Sequence, residues 1–412
     1  MIFKKFTLSN VCKTIYLLEL NENIKSNNEI NVEFCNDEET ISIKCNYDNL
    51  EDLFKTSTNL EDIHIKCILE KLTIDNFKTI NSEKLLFIKN LIDSKLDKLR
   101  YDVLIAIEDV VLDKLVYNEN EYRYFKKDQY YIFSYSISSG GNLLSSEFII
   151  LDKLEEEDID NVVKTIINDI EWIAVKKRKF ENYRNIDLIL KNDISGVFFH
   201  EYIGHFLEAD YFYTSPIRFL KNTCLFSKFL NITENYMCNE DFDDYGSKVY
   251  KNIELIKDGY IKNTLSNYTY SNLLNIGNTG NSFYENINKF HSPRMRHMIV
   301  HPQKNTLKSI IESTQNGVLI EKVSSGEVNI YSGDFSILVT KAYLIKDGRV
   351  LEPLESFSIN YNIKDIAKMN MEICCDIKDS QSLCGKGGLI SKVKYSTPSI
   401  AIRIKKGIEY EL

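Results

Sequence analysis

Two histidines five residues apart, His200 and His205, with Glu201 directly after the first, constrain this chain more than any other feature. They are two of six histidines in 412 residues, and they stand in an apolar run between Gly196 and Leu207. Each can offer a neutral imidazole nitrogen to a divalent cation, and Glu201 is placed to act on metal-bound water rather than to bind the metal. In a His-Glu-x-x-His helix the histidines are four apart and lie about 40° from each other around the axis. Five steps amount to about 500°, which leaves the two rings about 140° apart on a regular helix. One metal cannot readily take both, so the spacing predicts a turn widened between them, for which a π-bulge is the known device. Gly204 is expected to tolerate that distortion. The bland reading is a pair of ordinary histidines in a buried helix.

A cysteine segment stands near the other end: Cys384-Gly385-Lys386-Gly387-Gly388. A catalytic metal needs at least one protein ligand beyond two histidines, with a position left for water. From the residues alone, Cys384, Glu208, Asp210, His291, His297 and His301 are all candidates. Between the two motifs come Gly280-Asn281, Pro293-Arg294-Met295, Ile310-Ile311-Glu312 with Gly317, Ser332-Gly333-Asp334-Phe335, and Ala342 to Ile345 with Gly348. In this order the stretch from about Asn185 to Ile404 resembles the TldD/PmbA family of metallopeptidases, in its TldD-like, metal-binding branch. Upstream of Asn185 the likeness is faint.

The resemblance implies Cys384 as the third ligand and zinc as the metal, and thiolate suits zinc well. It also implies a dimer, formed with itself or with a paralogue, closing around the site. The family often has Gln where Leu389 stands here, which removes a possible amide contact to substrate. Gly385, Gly387 and Gly388 are expected to give the backbone near the metal conformations closed to other residues. Gly385 and Lys386 are candidates to bind substrate, Lys386 as a charge near the site, against a plain solvated lysine. Arg294 is a candidate to bind a peptide carbonyl or a developing oxyanion, against a plain salt bridge. Glu208 and Asp210 can orient a ligand histidine from behind it.

Length and charge bound the rest. A chain of 412 residues exceeds the ~250 to 300 at which single cores stop growing. Two domains are expected, 1–185 and 186–412. A net charge of −9 argues against a phosphate backbone as partner, so no nucleic acid is expected. Nine cysteines, irregularly spaced and odd in number, do not read as a disulfide framework. Lys13 and Glu19 interrupt the apolar run a signal peptide would need, and no stretch approaches ~18 uninterrupted apolar residues. The expectation is a cytoplasmic protein with no membrane partner.

The N-terminal half reads as a mixed α/β domain. Thr40 to Cys45, Tyr130 to Ile137 and Glu147 to Leu151 are strand-like, the last two joined through Gly140-Gly141. A helix starts at Ser82, and a second from Glu155 carries Ile159, Val162, Val163, Ile166 and Ile170 inward, with Lys176 to Lys179 expected at its end to complement the dipole. Asn182 to Asn185 mark the boundary. In the C-terminal half Ile186 to Leu190 is a strand feeding the metal helix, residues 211–245 read as an irregular connection, and a helix from Leu307 is closed by Asn316-Gly317. Asp258-Gly259 and Asp347-Gly348 each predict a hairpin. The fold class is therefore α+β, with a largely antiparallel C-terminal domain carrying the His-Glu helix.

The function expected is a zinc-dependent peptidase acting on extended or unfolded peptides, with Glu201 as general base. The alternative is a non-catalytic or metal-binding partner subunit of a TldD/PmbA-type dimer; retention of His200, Glu201, His205 and Cys384 favours the enzyme. Thiol hydrolysis with Cys384 as nucleophile would need a metal-free site, and the order of motifs speaks against it.

Overall fold

A computed structural model of the chain describes residues 5–17, 25–35, 40–45, 82–96, 101–118, 123–180, 186–225, 227–236, 242–283 and 291–403. They fall into two compact units that divide between Ala174 and Val175. The expected boundary, Asn182 to Asn185, lies outside the described residues. Among the described residues no helix is long and apolar enough to cross a membrane.

Among the described residues the first unit is one antiparallel sheet with two helices. Its strands are β1 (Lys5–Leu17), β2 (Lys25–Cys35), β3 (Thr40–Cys45), β4 (Asp102–Asn118), β5 (Arg123–Ser139) and β6 (Asn142–Leu151), in the order β3-β2-β1-β4-β5-β6. Period-two alternation turns Ile105 and Ile107 of β4 and Phe133, Tyr135 and Ile137 of β5 to one face. Helix α1 (Ser82–Leu96) covers that face with Ile88 and Ile92, and α2 (Glu156–Ala174) with Ile159, Val162, Val163, Ile166 and Ile170. Leu86 of α1 is exposed. The Gly140-Gly141 turn has φ of 56° and 80°, as a tight hairpin requires. The basic cluster departs from expectation. α2 ends at Ala174, and the Arg178 N–H donates to the carbonyl of Pro353 at 2.9 Å, a pairing that holds this segment extended rather than helical.

Among the described residues the second unit holds two larger sheets. One contains β8 (Ile232–Asn235), β9 (Ile253–Lys257), β10 (Tyr260–Ile261), β13 (His297–Val300), β19 (Lys378–Lys386) and β20 (Leu389–Thr397), in the order β10-β9-β8-β13-β20-β19. The other contains β7 (Asp187–Leu190), β14 (Asn316–Asn329), β15 (Asp334–Lys346), β16 (Arg349–Pro353), β17 (Phe357–Asn362), β18 (Asn370–Ile373) and β21 (Ile400–Arg403), in the order β16-β15-β14-β7-β21-β18 with β17 against β15. A short pair, β11 (Ser282–Phe283) with β12 (Ser292–Pro293), stands apart. Pairing is antiparallel except for β7 with β14 and β13 with β20. The fold class is α+β.

Both hairpins form where Asp-Gly predicts them: Asp258 and Gly259 have φ of 51° and 79°, and Asp347 and Gly348 have 47° and 75°. Residues 211–245 are less irregular than expected, since Ile232–Asn235 is a strand paired on both sides. The helix at Leu307 ends at Ser313, and Asn316-Gly317 open β14 instead of closing the helix, because Gly317 pairs with Asp187.

Helix α3 (Asn192–Phe199) follows β7 and is buried in a core drawn from both sheets. Phe198, Phe199, Tyr202, Ile203, Phe206 and Leu207 share that core with Leu255 and Met298 of one sheet and with Val318, Phe335 and Ile402 of the other. Each fully buried side chain of this kind contributes roughly 1.5–3 kcal/mol. The segment carrying the two histidines is thus held from both sides, and its geometry cannot relax independently of the core.

Candidate metal centre

At His200 the helix widens. Residues His200–Gly204 form one π-helical turn, closed by the N–H of His205 donating to the carbonyl of His200. The residue gained in that turn takes up about 100°, which brings the rings from about 140° to about 40° apart. Their centroids lie 4.6 Å apart with planes at 75°. The widened turn is thus the one the spacing predicts, but Gly204 has a different reason to be glycine. Its φ of −62° and ψ of −51° are ordinary helix. A Cβ there would run into the Met295 sulfur and lie 2.8 Å from Met298 Cε, so the position needs room and not conformational freedom.

The third candidate ligand arrives on the β19–β20 hairpin. Gly387 and Gly388 carry φ of 57° and 76° and turn the chain, so that Lys386 pairs with Leu389 and Cys384 with Ser391. Those two glycines serve the hairpin, and Gly385 is exposed with open space around it. Gly387 and Gly388 thus take backbone conformations that other residues rarely adopt, as expected, whereas Gly385 has no positive φ. Cys384 points inward and its Sγ lies 3.2 Å from His205 Nε2.

Donor atoms of His200, His205 and Cys384 all lie within 4.8 Å of one another. Bonds of about 2.0–2.1 Å to nitrogen and 2.3 Å to sulfur would hold tetrahedral donors roughly 3.3–3.7 Å apart, so donors no more than 4.8 Å apart can close on one metal ion. A second observation supports the fit. His200 is 1 % exposed, yet among the described residues neither its Nδ1 nor its Nε2 has a hydrogen-bond partner. A buried orphan of that kind is costly, and a cation beside it removes the cost.

Glu201 reaches across both rings, with Oε1 4.0 Å from His200 Nε2 and Oε2 3.7 Å from His205 Nε2. Its side chain is 16 % exposed, so of these four groups it is the one that meets solvent. Burial lifts its carboxyl above the usual range, with Glu208 adding to the lift and His205 opposing it. Gly326 of β14 packs on it: a Cβ there would lie 2.7 Å from Glu201 Cγ. Tyr395 of β20 stands edge-on to His200 at 5.3 Å.

Behind His205 sits a buried charge cluster. Glu208 Oε2 lies 2.8 Å from His205 Nδ1, and Glu208 itself is fully buried. Burial would raise the Glu208 carboxyl, but Lys386, His205 and Arg294 hold it well below the usual range. His205 is pushed down by burial, and the charges of Glu208 and Cys384 outweigh this and lift it to about 10. Burial, reinforced by His205, holds His200 well below its ordinary value, so it stays neutral.

The other expected residues fall elsewhere. Arg294 is 1 % exposed, and its Nη2 and Nη1 donate to the carbonyls of Cys384 at 2.7 Å and Leu389 at 3.3 Å. It buttresses the hairpin instead of facing an oxyanion. Lys386 is buried, with Nζ donating to Glu208 at 2.8 Å, Asp210 at 2.8 Å and the Pro293 carbonyl at 3.1 Å. That leaves no N–H for a substrate, so its expected place beside one is corrected. His291, His297 and His301 lie outside the cluster, beside Ser282, Ser396 and Thr233 respectively. Gly326 and Tyr395 carry no local sequence signal, because what makes them matter is a contact across long sequence distance.

Residues 183–406 match the PmbA/TldA metallopeptidase C-terminal domain, more than half of the chain. The chain belongs to the TldD/PmbA family. A zinc metalloprotease TldD homolog of Saccharolobus solfataricus is 25% identical over 249 residues, 59% of this chain and 54% of that protein. A metalloprotease TldD homolog of Buchnera aphidicola is 27% identical over 231 residues, 52% and 46% respectively. The chain spans about half the length of these curated relatives. In fold it is similar to the crystal structure of TldE from Thermococcus kodakarensis, with a TM-score of 0.67 and 16% identity over 97% of this chain and 96% of that one.

Proposed function

We propose that the chain is a zinc-dependent peptidase that hydrolyses extended or unfolded peptides, with His200, His205 and Cys384 as metal ligands and Glu201 as general base. The observation that carries this reading is the convergence of three buried donor atoms, one of them on His200, whose ring nitrogens have no hydrogen-bond partner among the described residues. The activity is assigned to the domain 186–412. Bound zinc would lower the pKa of a water toward ~7 and polarise the scissile carbonyl. Glu201 takes the proton of the attacking water on a carboxylate oxygen and passes it to the leaving amine. Its raised pKa suits a group that must both accept and return a proton. His200, held neutral by burial, keeps a lone pair for the ligand role.

Two strand edges beside this cluster support the substrate class. β19, which carries Cys384, ends its sheet, and β14 beyond Ile320 pairs with β15 alone among the described residues. A peptide added to such an edge gains main-chain bonds with little demand on its side chains, whereas a folded protein would have to unfold locally first. Beside Gly326 opens a cavity of about 670 Å³, lined by Glu327, Asn329, Asp334, Asn360 and Asn362 among others, with room for side chains.

The assembly we propose is a dimer, with itself or with a paralogue, in the cytoplasm. Cys224, Cys374, Cys375 and Cys384 are free thiols, in keeping with a reducing compartment. The competing reading, a partner subunit without catalysis, draws on the fold likeness to TldE. Wild type and Glu201→Gln, incubated with a mixture of unstructured peptides and one stable folded domain, separate the two. The enzyme reading expects peptides cleaved by the wild type alone and the folded domain spared; equal behaviour of both proteins would sink it.

A further inference from the structure

We propose that Lys386 and Glu208 form a buried positioning pair that locks the ring of His205 in place for the metal. This rests on the metal site proposed above. Both oxygens of Glu208 are committed. Oε2 lies 2.8 Å from His205 Nδ1 and accepts from Lys386 Nζ at 2.8 Å, while Oε1 accepts the Met295 N–H at 3.0 Å. A carboxylate held at three points cannot swing, so it binds the Nδ1 side of His205 and leaves Nε2 directed at Cys384, 3.2 Å away. That fixes both tautomer and ring orientation, the service a carboxylate gives to a metal-bound imidazole.

Lys386 keeps Glu208 there. Asp210 stands on the other side of the ammonium at 2.8 Å, so two neighbouring carboxylates share one cation and would repel each other without it. The Tyr211 ring lies 4.0 Å from the ammonium and adds a cation–π contact.

The spacing explains how two elements deliver four groups. On β19, Cys384 and Lys386 are two apart and share the inward face, while Gly385 faces out. On the helix segment, His205 and Glu208 are three apart and meet through their side chains. Each element thus supplies one ligand and one half of the pair that aligns it, and seating the hairpin sets both at once.

The test uses the full chain in four forms: wild type, Glu208→Gln, Lys386→Met and the double variant. Zinc affinity is measured by chelator competition, and the cobalt-loaded protein is read by its visible and thiolate-to-cobalt absorption bands. Each single variant is expected to lose roughly 10–100-fold in zinc affinity, with cobalt bands shifted because His205 has turned. The double variant should lose about as much as the worse single one, since the two act as a unit. The double variant buries no unpaired Glu208 charge, so it carries the test if Lys386→Met fails to fold. Wild-type zinc affinity and cobalt bands in Lys386→Met, or in the double variant, would overturn the proposal. So would a Lys386→Met protein that keeps zinc but shows a raised KM for peptide, which would return the lysine to the substrate. Failure of the underlying site reads differently: wild type and Cys384→Ala would then bind zinc alike.

Discussion

Replacing Gly326 by alanine separates the general base from the metal ligands. The three atoms nearest to a Cβ at this position all belong to Glu201, Cγ at 2.7 Å, Cδ at 3.5 Å and Cβ at 3.6 Å, and of these only Cγ is too close. Ordinary carbon contacts begin near ~3.5 Å, so Glu201 Cγ must retreat by about 0.8 Å or β14 must bend. The carboxylate lies beyond Cγ and moves at least as far, and a misplacement of about 1 Å can cost ~100-fold in rate. No atom of His200, His205 or Cys384 is among those three nearest, so zinc should stay. The strand itself has no need of glycine flexibility, because Gly326 lies within the regular β14–β15 pairing and has no positive φ. Alanine there should leave the melting temperature little changed or slightly lower, since the crowding of Glu201 offsets what the strand gains by losing glycine's freedom. The assay is hydrolysis of a quenched fluorescent unstructured peptide, with zinc content and a thermal melt on the same sample. The expected result is kcat down roughly 100-fold, KM little changed, one zinc retained and a normal melt. Full activity in a well-folded Gly326→Ala protein would refute the placement of Glu201, and loss of zinc would show that the contact serves the ligands instead.

Gly204→Ala should destabilise the protein by about 1–3 kcal/mol by overpacking against Met295 and Met298, and Gly204→Ala combined with Met295→Ala should recover part of that in a thermal melt. Zinc uptake should release protons, because His205 is held near about 10 without metal and must give up a proton to become a ligand. Zinc affinity should therefore rise with pH through the neutral range, and calorimetry in buffers of different ionisation enthalpy counts the protons; an uptake that releases none would contradict the His205 assignment. In the metal-free protein the sign is opposite. The raised His205 pKa contributes stability that is full below ~6.5 and is lost as pH rises toward about 10, so the apo melting temperature should fall with alkali.

Much of the site's backbone was legible because the physics involved is local. A five-residue gap between two histidines demands a widened turn, and His200–Gly204 is one. Asp-Gly at 258–259 and 347–348 demands hairpins, and both form. What was not legible depended on distant partners. Lys176 to Lys179 looked like a helix end, yet Arg178 pairs with Pro353, far along the chain. Arg294 and Lys386 carry charges that sequence reading assigns to an open cleft, and only the fold shows Cys384, Leu389, Glu208 and Asp210 closing around them. Ile232–Asn235 is four residues long, too short for its alternation to stand out from the irregular segment around it. Gly326 has no signal at all, since its meaning is the side chain it makes room for.

The proposed site places one metal between His200, His205 and Cys384. Metal content of the purified wild type beside Cys384→Ala, measured by plasma emission with a melt to confirm folding, tests it most directly. The account predicts about one zinc per wild-type chain and almost none in the folded variant; full zinc occupancy in Cys384→Ala would contradict it.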